Sequence, residues 1–114
     1  MTRRIIIRPK ASRDLDDYFA YIAENEFEAA LNFFDSARST ILLRRGSANA
    51  QLARMPGMGS LYPVDNPRLQ GLRKWAVKDF KKYLIFYFER DDVIEVVRIL
   101  YASQDISSIL EGEA

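Results

Sequence analysis

The segment from Leu72 to Asp105 constrains the fold of this chain more than any other part of the sequence. It holds three stretches that are rich in β-branched and aromatic residues, with short polar stretches between them. This pattern predicts three consecutive strands, over about 71–77, over Tyr83–Phe88 and over Val93–Tyr101. Tyr83–Phe88 is apolar at every position, which is typical of a central strand that is buried on both faces.

The N-terminal half predicts a strand followed by two helices. The β-branched run Arg3–Arg8 predicts a strand that ends at Pro9. Apolar residues then recur at helical spacing, which predicts one helix over about 12–24 and a second over about 25–53. Ser12 is the predicted N-cap of the first helix. Almost no loop separates the two helices, so we expect an antiparallel helical hairpin.

Turn-forming residues predict the remaining connections. Met55–Gln70 contains three prolines and two glycines, which predicts a loop, and we expect turns at 79–82 and 90–92. Ile106–Leu110 could form a short C-terminal helix. The order β-α-α-β-β-β predicts an α+β fold: an N-terminal strand, then a helical hairpin packed on a curved antiparallel sheet with a three-strand meander. With 114 residues, we expect one domain over 1–114.

The composition excludes several classes of enzyme. The chain has no Cys and no His, so it cannot use a thiol nucleophile or a Ser-His-Asp triad, and it lacks the commonest metal ligands. None of its five glycines belongs to a phosphate-binding loop. We therefore expect no metal and no cofactor, and any catalysis must use Arg, Lys, Tyr, Asp or Glu. Apolar runs are too short for a membrane span or a signal peptide, so we expect a cytoplasmic protein.

Charge is divided between two parts of the chain. The net charge is only +1, yet Asp14–Asp35 carries seven acidic residues and no Lys or Arg. Residues 68–82 carry six basic residues against one acidic residue. These six are Arg68, Arg73, Lys74, Lys78, Lys81 and Lys82. Such a surface attracts phosphates or an acidic peptide, or it is a solvated edge that keeps the sheet soluble; both interpretations stay open.

Side chains in and after the last predicted strand are further candidates. Arg98 interrupts an apolar stretch, so it either pairs with a carboxylate or faces a groove. Tyr101, Gln104 and Asp105 follow the strand, where functional side chains are often displayed. Asp105 could instead cap the final helix. The aromatic residues of the strands could stack nucleic-acid bases, but they are more typical of a core.

Together these residues resemble the RelE/ParE superfamily of small bacterial toxins, and most closely its ParE branch. The similarity spans nearly the whole chain. It is clearest where Tyr83–Tyr87 is followed by Val97–Tyr101 and then by Gln104 and Asp105. Shorter matches are Pro9, Ala11 and Leu15 at the first helix, Ala29, Ala30, Phe33 and Phe34 in the second, Pro56 and Gly57 after it, and Leu72 and Arg73.

The resemblance implies the same fold and a role as the toxin of a type II toxin–antitoxin pair. It implies a hetero-oligomer with a cognate antitoxin, whose disordered acidic segment folds over the toxin. ParE-like members inhibit DNA gyrase by protein–protein contact, whereas RelE-like members cut mRNA on the ribosome without a metal. RelE-like nucleases place arginines near the positions of Leu84 and Ser103–Gln104, and a Tyr or His in the final helix, where this chain has Leu110.

We therefore expect a gyrase inhibitor without enzymatic activity. A ribosome-dependent endoribonuclease and a degenerate, non-toxic antitoxin-binding protein are the alternatives. The only catalytic candidates are Arg73, Arg98 and Tyr101. For the antitoxin or the target we expect a groove between the hairpin and the sheet, and no direct nucleic-acid binding without a partner. The expected binding residues are Arg73, Lys74, Lys78, Lys81, Lys82, Arg98, Tyr101, Gln104 and Asp105.

Overall fold

The computed structural model describes residues 4–41, 59–77, 79–90 and 93–113. The strands are β1 (Arg4–Ile7), β2 (Ser60–Leu61), β3 (Arg73–Val77), β4 (Phe80–Arg90) and β5 (Val93–Tyr101). The helices are α1 (Pro9–Ala23), α2 (Phe27–Ile41) and α3 (Ile106–Glu111), with a 3₁₀ turn at Pro67–Leu69. The strands form one sheet in the order β1-β5-β4-β3-β2, which confirms the predicted α+β fold.

The strand β4 occupies the centre of the sheet, as the apolar run Tyr83–Phe88 predicts. It pairs antiparallel with β3 and with β5. The pair β1–β5 is parallel, with Arg4 opposite Val93 and Ile7 opposite Val96. The sheet is therefore mixed, and not antiparallel throughout as we predicted. The connection from β1 to β5 contains the helical hairpin and the other strands, and a parallel pair needs a long connection of this kind. β2 adds a two-residue antiparallel pairing to β3 inside the segment that we predicted to be a loop.

Several element boundaries differ from the predicted ones. Helix α1 begins at Pro9 and not near Ser12, because proline suits the first helical position, where the missing N–H would have no partner. Asp79 adopts a left-handed φ of 66° and turns the chain. Strand β4 therefore begins at Phe80, so Lys81 and Lys82, which we predicted to lie in the turn, belong to this strand. The predicted continuation of α2 beyond residue 41 lies outside the described residues.

The sheet buries apolar residues on both faces. Alternate residues of β4 point to opposite sides, so Ile85 and Tyr87 belong to one cluster and Phe86 and Phe88 to the other. The hairpin-side cluster consists of Ala11, Ala37, Val77, Ile85, Tyr87, Ile94, Val96 and Ile99. The opposite cluster consists of Leu69, Leu72, Phe86, Phe88, Val97, Leu100 and Leu110. Helix α3 contributes Leu110 and so covers the face that the hairpin leaves open.

The helical hairpin, α1 and α2, is held together partly by aromatic contacts. The ring of Phe19 packs edge-on against Phe27 at 6.1 Å and against Phe34 at 5.8 Å. Helical spacing predicts one apolar stripe on the second helix that includes Phe27, Ala30, Leu31 and Ala37. Ala30 and Ala37 are buried together with Phe33, whereas Phe27 and Leu31 are 59 % and 43 % exposed. In the described part of the chain no helix is long and apolar enough to cross a membrane.

Candidate functional site

A carboxylate from α1 holds Arg98. Arg98 Nε donates to Asp14 Oδ2 at 2.7 Å, and Arg98 Nη2 donates to Asp14 Oδ1 at 2.8 Å. The two side chains are 17 % and 11 % exposed, and the hydrogen bond to Asp14 raises the pKa of Arg98. Of the two alternatives for Arg98, pairing with a carboxylate is therefore confirmed. This residue joins β5 to the hairpin.

Side chains of α1 also cover the outer edge of β5. β1 pairs with β5 only as far as Val96. Further along, the amide of Ile99 donates to Asp14 Oδ2 at 3.0 Å, and the amide of Tyr101 donates to the Tyr18 hydroxyl at 3.1 Å. Asp14 and Tyr18 lie one helical turn apart, so they stack along the strand. An edge that would otherwise offer free amides to another chain is thereby satisfied within the molecule.

A pocket of about 450 Å³ opens where this edge ends. It is lined by Asp17, Tyr18, Tyr21, Tyr83, Tyr101, Ser103 and Gln104. Tyr83 is the central ring: its centroid lies 5.0 Å from that of Tyr18 and 4.8 Å from that of Tyr101, both in edge-to-face geometry. We call this feature the tyrosine pocket.

Hydrogen bonds fix the inner wall of the tyrosine pocket. Gln104 Oε1 accepts from the Tyr18 hydroxyl at 2.6 Å and from the amide of Tyr101 at 2.7 Å. Burial, followed by the nearby charge of Asp14, raises the pKa of Tyr18 to about 12. Burial also raises the pKa of Tyr83. These phenols are therefore neutral at physiological pH.

We predicted Tyr101 and Gln104 as site residues from the sequence, but we did not predict Tyr18 and Tyr21, which also line the pocket. The two missed tyrosines lie on α1, more than sixty residues away from Tyr83 along the chain. Their spacing of three places both on one side of a helix. That spacing was the available signal, but helical tyrosines at such spacing are also typical of a core.

The predicted basic residues do not share one rim. Lys74 lies over the ring of Tyr62 with its Nζ 5.6 Å from the centroid, and Tyr62 packs on Phe86 in the opposite cluster. Strand alternation thus places Lys74 on the face away from the hairpin. The hairpin itself packs on the sheet through the hairpin-side cluster, so Lys74 cannot border a groove between them. Lys81 and Lys82 are exposed at the start of β4; Lys78 lies outside the described residues.

Asp105 caps the final helix, which is the second of the two roles that the sequence allows for it. It is the N-cap of α3, where its Oδ1 accepts from the amide of Ser108 at 3.4 Å. Its Oδ2 also accepts from the Ser108 hydroxyl at 2.8 Å. Asp105 therefore begins the final helix.

The three catalytic candidates do not converge. Arg73 lies opposite Tyr87 and Tyr101 lies opposite Tyr83, so they are separated by four positions of β4, or about 13 Å along the strand. Arg73 Nη1 donates to the carbonyl of Gly59 at 2.6 Å, and Arg98 is held by Asp14. Among the described residues no group of three or more acidic side chains is placed to hold a metal ion.

The architecture is that of a small toxin of a type II toxin–antitoxin system. It consists of a strand, a helical hairpin, an antiparallel meander and a short final helix. The family model of the ParE toxin of type II toxin–antitoxin systems, parDE, matches residues 5–106. The chain therefore belongs to the ParE toxin family, and a toxin of this kind has an antitoxin as its partner.

A solved structure supports the fold independently. It is described as the chromosomal ParDE TA system from P. aeruginosa, and it matches with a TM-score of 0.65 over 90 % of this chain and 98 % of that chain. The two sequences are 17 % identical, so this likeness supports the architecture and not the details of the site. No curated protein sequence matches the chain.

Proposed function

We propose that this protein inhibits DNA gyrase by protein–protein contact and that a cognate antitoxin neutralises it. Membership of the ParE toxin family supports the toxin role. The main support for this mode of action is that the three catalytic candidates do not converge on one point. Cleavage of RNA without a metal needs cationic donors gathered around one phosphate, whereas Arg98 is bound to Asp14 and Arg73 to a backbone carbonyl.

The exposed lysines at the start of β4 are the proposed contact for the acidic segment of the antitoxin. Lys81 and Lys82 are both exposed, and the carbonyl of Lys82 accepts from the amide of Ala102 at 2.7 Å. The two lysines therefore lie beside the end of β5, where Tyr101 and Gln104 line the tyrosine pocket. Lys74, which packs over the ring of Tyr62 on the face away from the hairpin, forms a separate contact in this proposal.

A supercoiling assay tests the gyrase target. Purified protein is titrated into DNA gyrase acting on relaxed plasmid, and we expect supercoiling to fall as the protein concentration rises. The same reaction with the cognate antitoxin added first should keep full supercoiling. Supercoiling that is unchanged at saturating protein would refute the gyrase target, whatever the antitoxin does.

Charge reversal tests the contact surface. We expect the double variant Lys81→Glu and Lys82→Glu to bind the antitoxin more weakly and with less dependence on salt, because fewer ion pairs form. Arg68→Glu is the matched control, since Arg68 is exposed on the 3₁₀ turn and outside the proposed contact. Equal losses in the two variants would show a general charge effect and contradict this placement.

The two alternatives have distinct outcomes. An endoribonuclease would cut mRNA at codon-linked positions when the protein is added to translating ribosomes, and we expect no such cuts. A degenerate protein would leave growth normal on induction and still bind the antitoxin, whereas we expect induction to arrest growth.

A further inference from the structure

The tyrosine pocket brings together rings from three elements that are distant in sequence. Tyr18 and Tyr21 come from α1, Tyr83 from β4 and Tyr101 from β5. Tyr21 is 65 % exposed, although large aromatic side chains are usually more buried than this. An exposed ring at the mouth of a pocket with three further rings provides an aromatic surface that is accessible to a ligand.

The charge of the pocket favours a cation. Among the described residues that line the pocket, Asp17 is the only charged one. Arg98, the cation that acts on Tyr18, is already neutralised by its two hydrogen bonds to Asp14. Aromatic faces are electronegative and attract guanidinium and ammonium groups. The described lining residues thus combine ring faces and one carboxylate and include no basic side chain.

The polar atoms of the pocket are also suited to a hydrogen-bond donor. Tyr21, Tyr83 and Tyr101 all line the pocket, and each carries a phenol hydroxyl. A guanidinium has five N–H donors and a flat face that stacks on aromatic rings. It could therefore stack on a tyrosine while it donates to phenol oxygens and to Asp17.

We propose that the tyrosine pocket binds the guanidinium group of an arginine side chain that a partner protein supplies. The pocket is open and one of its walls is largely exposed, so an isolated small cation would bind weakly. An arginine within a larger interface does not need the pocket to supply all of its affinity. The pocket adjoins the lysines at the start of β4 but is lined by other residues, and the proposal does not depend on gyrase as the target.

The first experiment uses a model of the side chain. N-acetyl-arginine amide is titrated into the protein, and the tyrosine ring signals are followed by NMR. We expect saturable shifts at Tyr18, Tyr21, Tyr83 and Tyr101, with Tyr62 and Tyr87 as internal controls outside the pocket. N-acetyl-citrulline amide has nearly the same shape without the charge, and we expect it to bind at least about fivefold more weakly.

Matched variants locate the effect. Asp17→Asn removes the carboxylate of the pocket and should weaken arginine amide binding by about threefold. Asp16→Asn is the control, because Asp16 is also exposed on α1 but does not line the pocket. Tyr21→Ala should weaken binding by a similar factor, while Phe27→Ala, which removes an exposed ring elsewhere on the hairpin, should not.

Any of four results would overturn the proposal. The first is an absence of saturable shifts. The second is equal binding of the arginine and citrulline amides, which would show that charge is not recognised. The third is an equal loss of binding in Asp16→Asn and Asp17→Asn. The fourth is tighter binding of choline than of arginine amide, which would assign the pocket to a free quaternary ammonium compound instead of a side chain.

Discussion

At the scale of single residues, Asp14 makes more long-range connections than its position suggests. Its carboxylate accepts two hydrogen bonds from Arg98 and one from the amide of Ile99. In the sequence, Asp14 is one of several acids near the start of a helix and resembles Asp16 and Asp17. The difference between them depends on a partner 84 positions away, which no local pattern could identify.

Asp14→Asn should destabilise the protein by about 2–3 kcal/mol. The amide keeps the size of the carboxylate but removes the charge that pairs with Arg98, and breaking a buried ion pair costs about 3–5 kcal/mol. We expect a value below that range because Arg98 is 17 % exposed and Glu113 lies 3.8 Å from its Nη1. Urea unfolding measures the loss.

Asp16→Asn is the matched control for this prediction. Asp16 is exposed on the same helix, and surface substitutions of this kind usually change stability by no more than about 0.5 kcal/mol. If Asp14→Asn and Asp16→Asn lowered the unfolding midpoint equally, the Asp14–Arg98 pair would not have the structural importance that we assign to it.

At the scale of elements, the strands with the strongest local signal were predicted best. Val93–Tyr101 coincides with β5, and the run Tyr83–Phe88 lies within the central strand β4, because unbroken apolar sequence reflects burial on both faces. The parallel partner of β1 and the short strand β2 were not predicted. Both depend on pairing with distant strands, about which local composition contains little information.

Asp105→Ala should loosen α3 specifically. An N-cap aspartate accepts from an amide that otherwise has no partner, and its loss costs about 1 kcal/mol. We expect faster hydrogen exchange at the amides of α3 and a small fall in overall stability, since Leu110 anchors this helix in the opposite cluster. Ser107→Ala, an exposed change on the same helix, is the control. Unchanged exchange in Asp105→Ala would contradict the capping role.

At the scale of the whole molecule, the sheet determines which predicted site residues can act together. Tyr101 and Gln104 were predicted site residues and both line the tyrosine pocket. Lys74 was predicted beside them but lies on the other face, and the tyrosines from α1 were not predicted at all. Local spacing indicates which side of an element a residue occupies. It does not indicate which other element will cover that side.

Tyrosines that are wholly or partly buried make the stability of the whole molecule sensitive to alkaline pH. Burial is the largest cause that raises the pKa of Tyr18, to about 12, and it also raises the pKa values of Tyr83 and Tyr87. Above the ordinary tyrosine pKa of 10.0, the unfolded chain releases these protons while the folded protein still holds them. Stability is therefore complete below about pH 10 and falls as the pH rises toward the folded pKa values.

Urea unfolding at about pH 8 and about pH 11 checks this expectation, and we expect a lower midpoint at the higher pH. Tyrosinate absorbance should show that part of the phenols ionises only together with unfolding. Tyr18→Phe removes the most strongly shifted group, so its midpoint should fall less between the two pH values than that of the unsubstituted protein. An equal fall in both proteins would mean that the proton on Tyr18 does not contribute, and that the hydroxyl between Gln104 and the end of β5 is not held as tightly as its hydrogen bonds indicate.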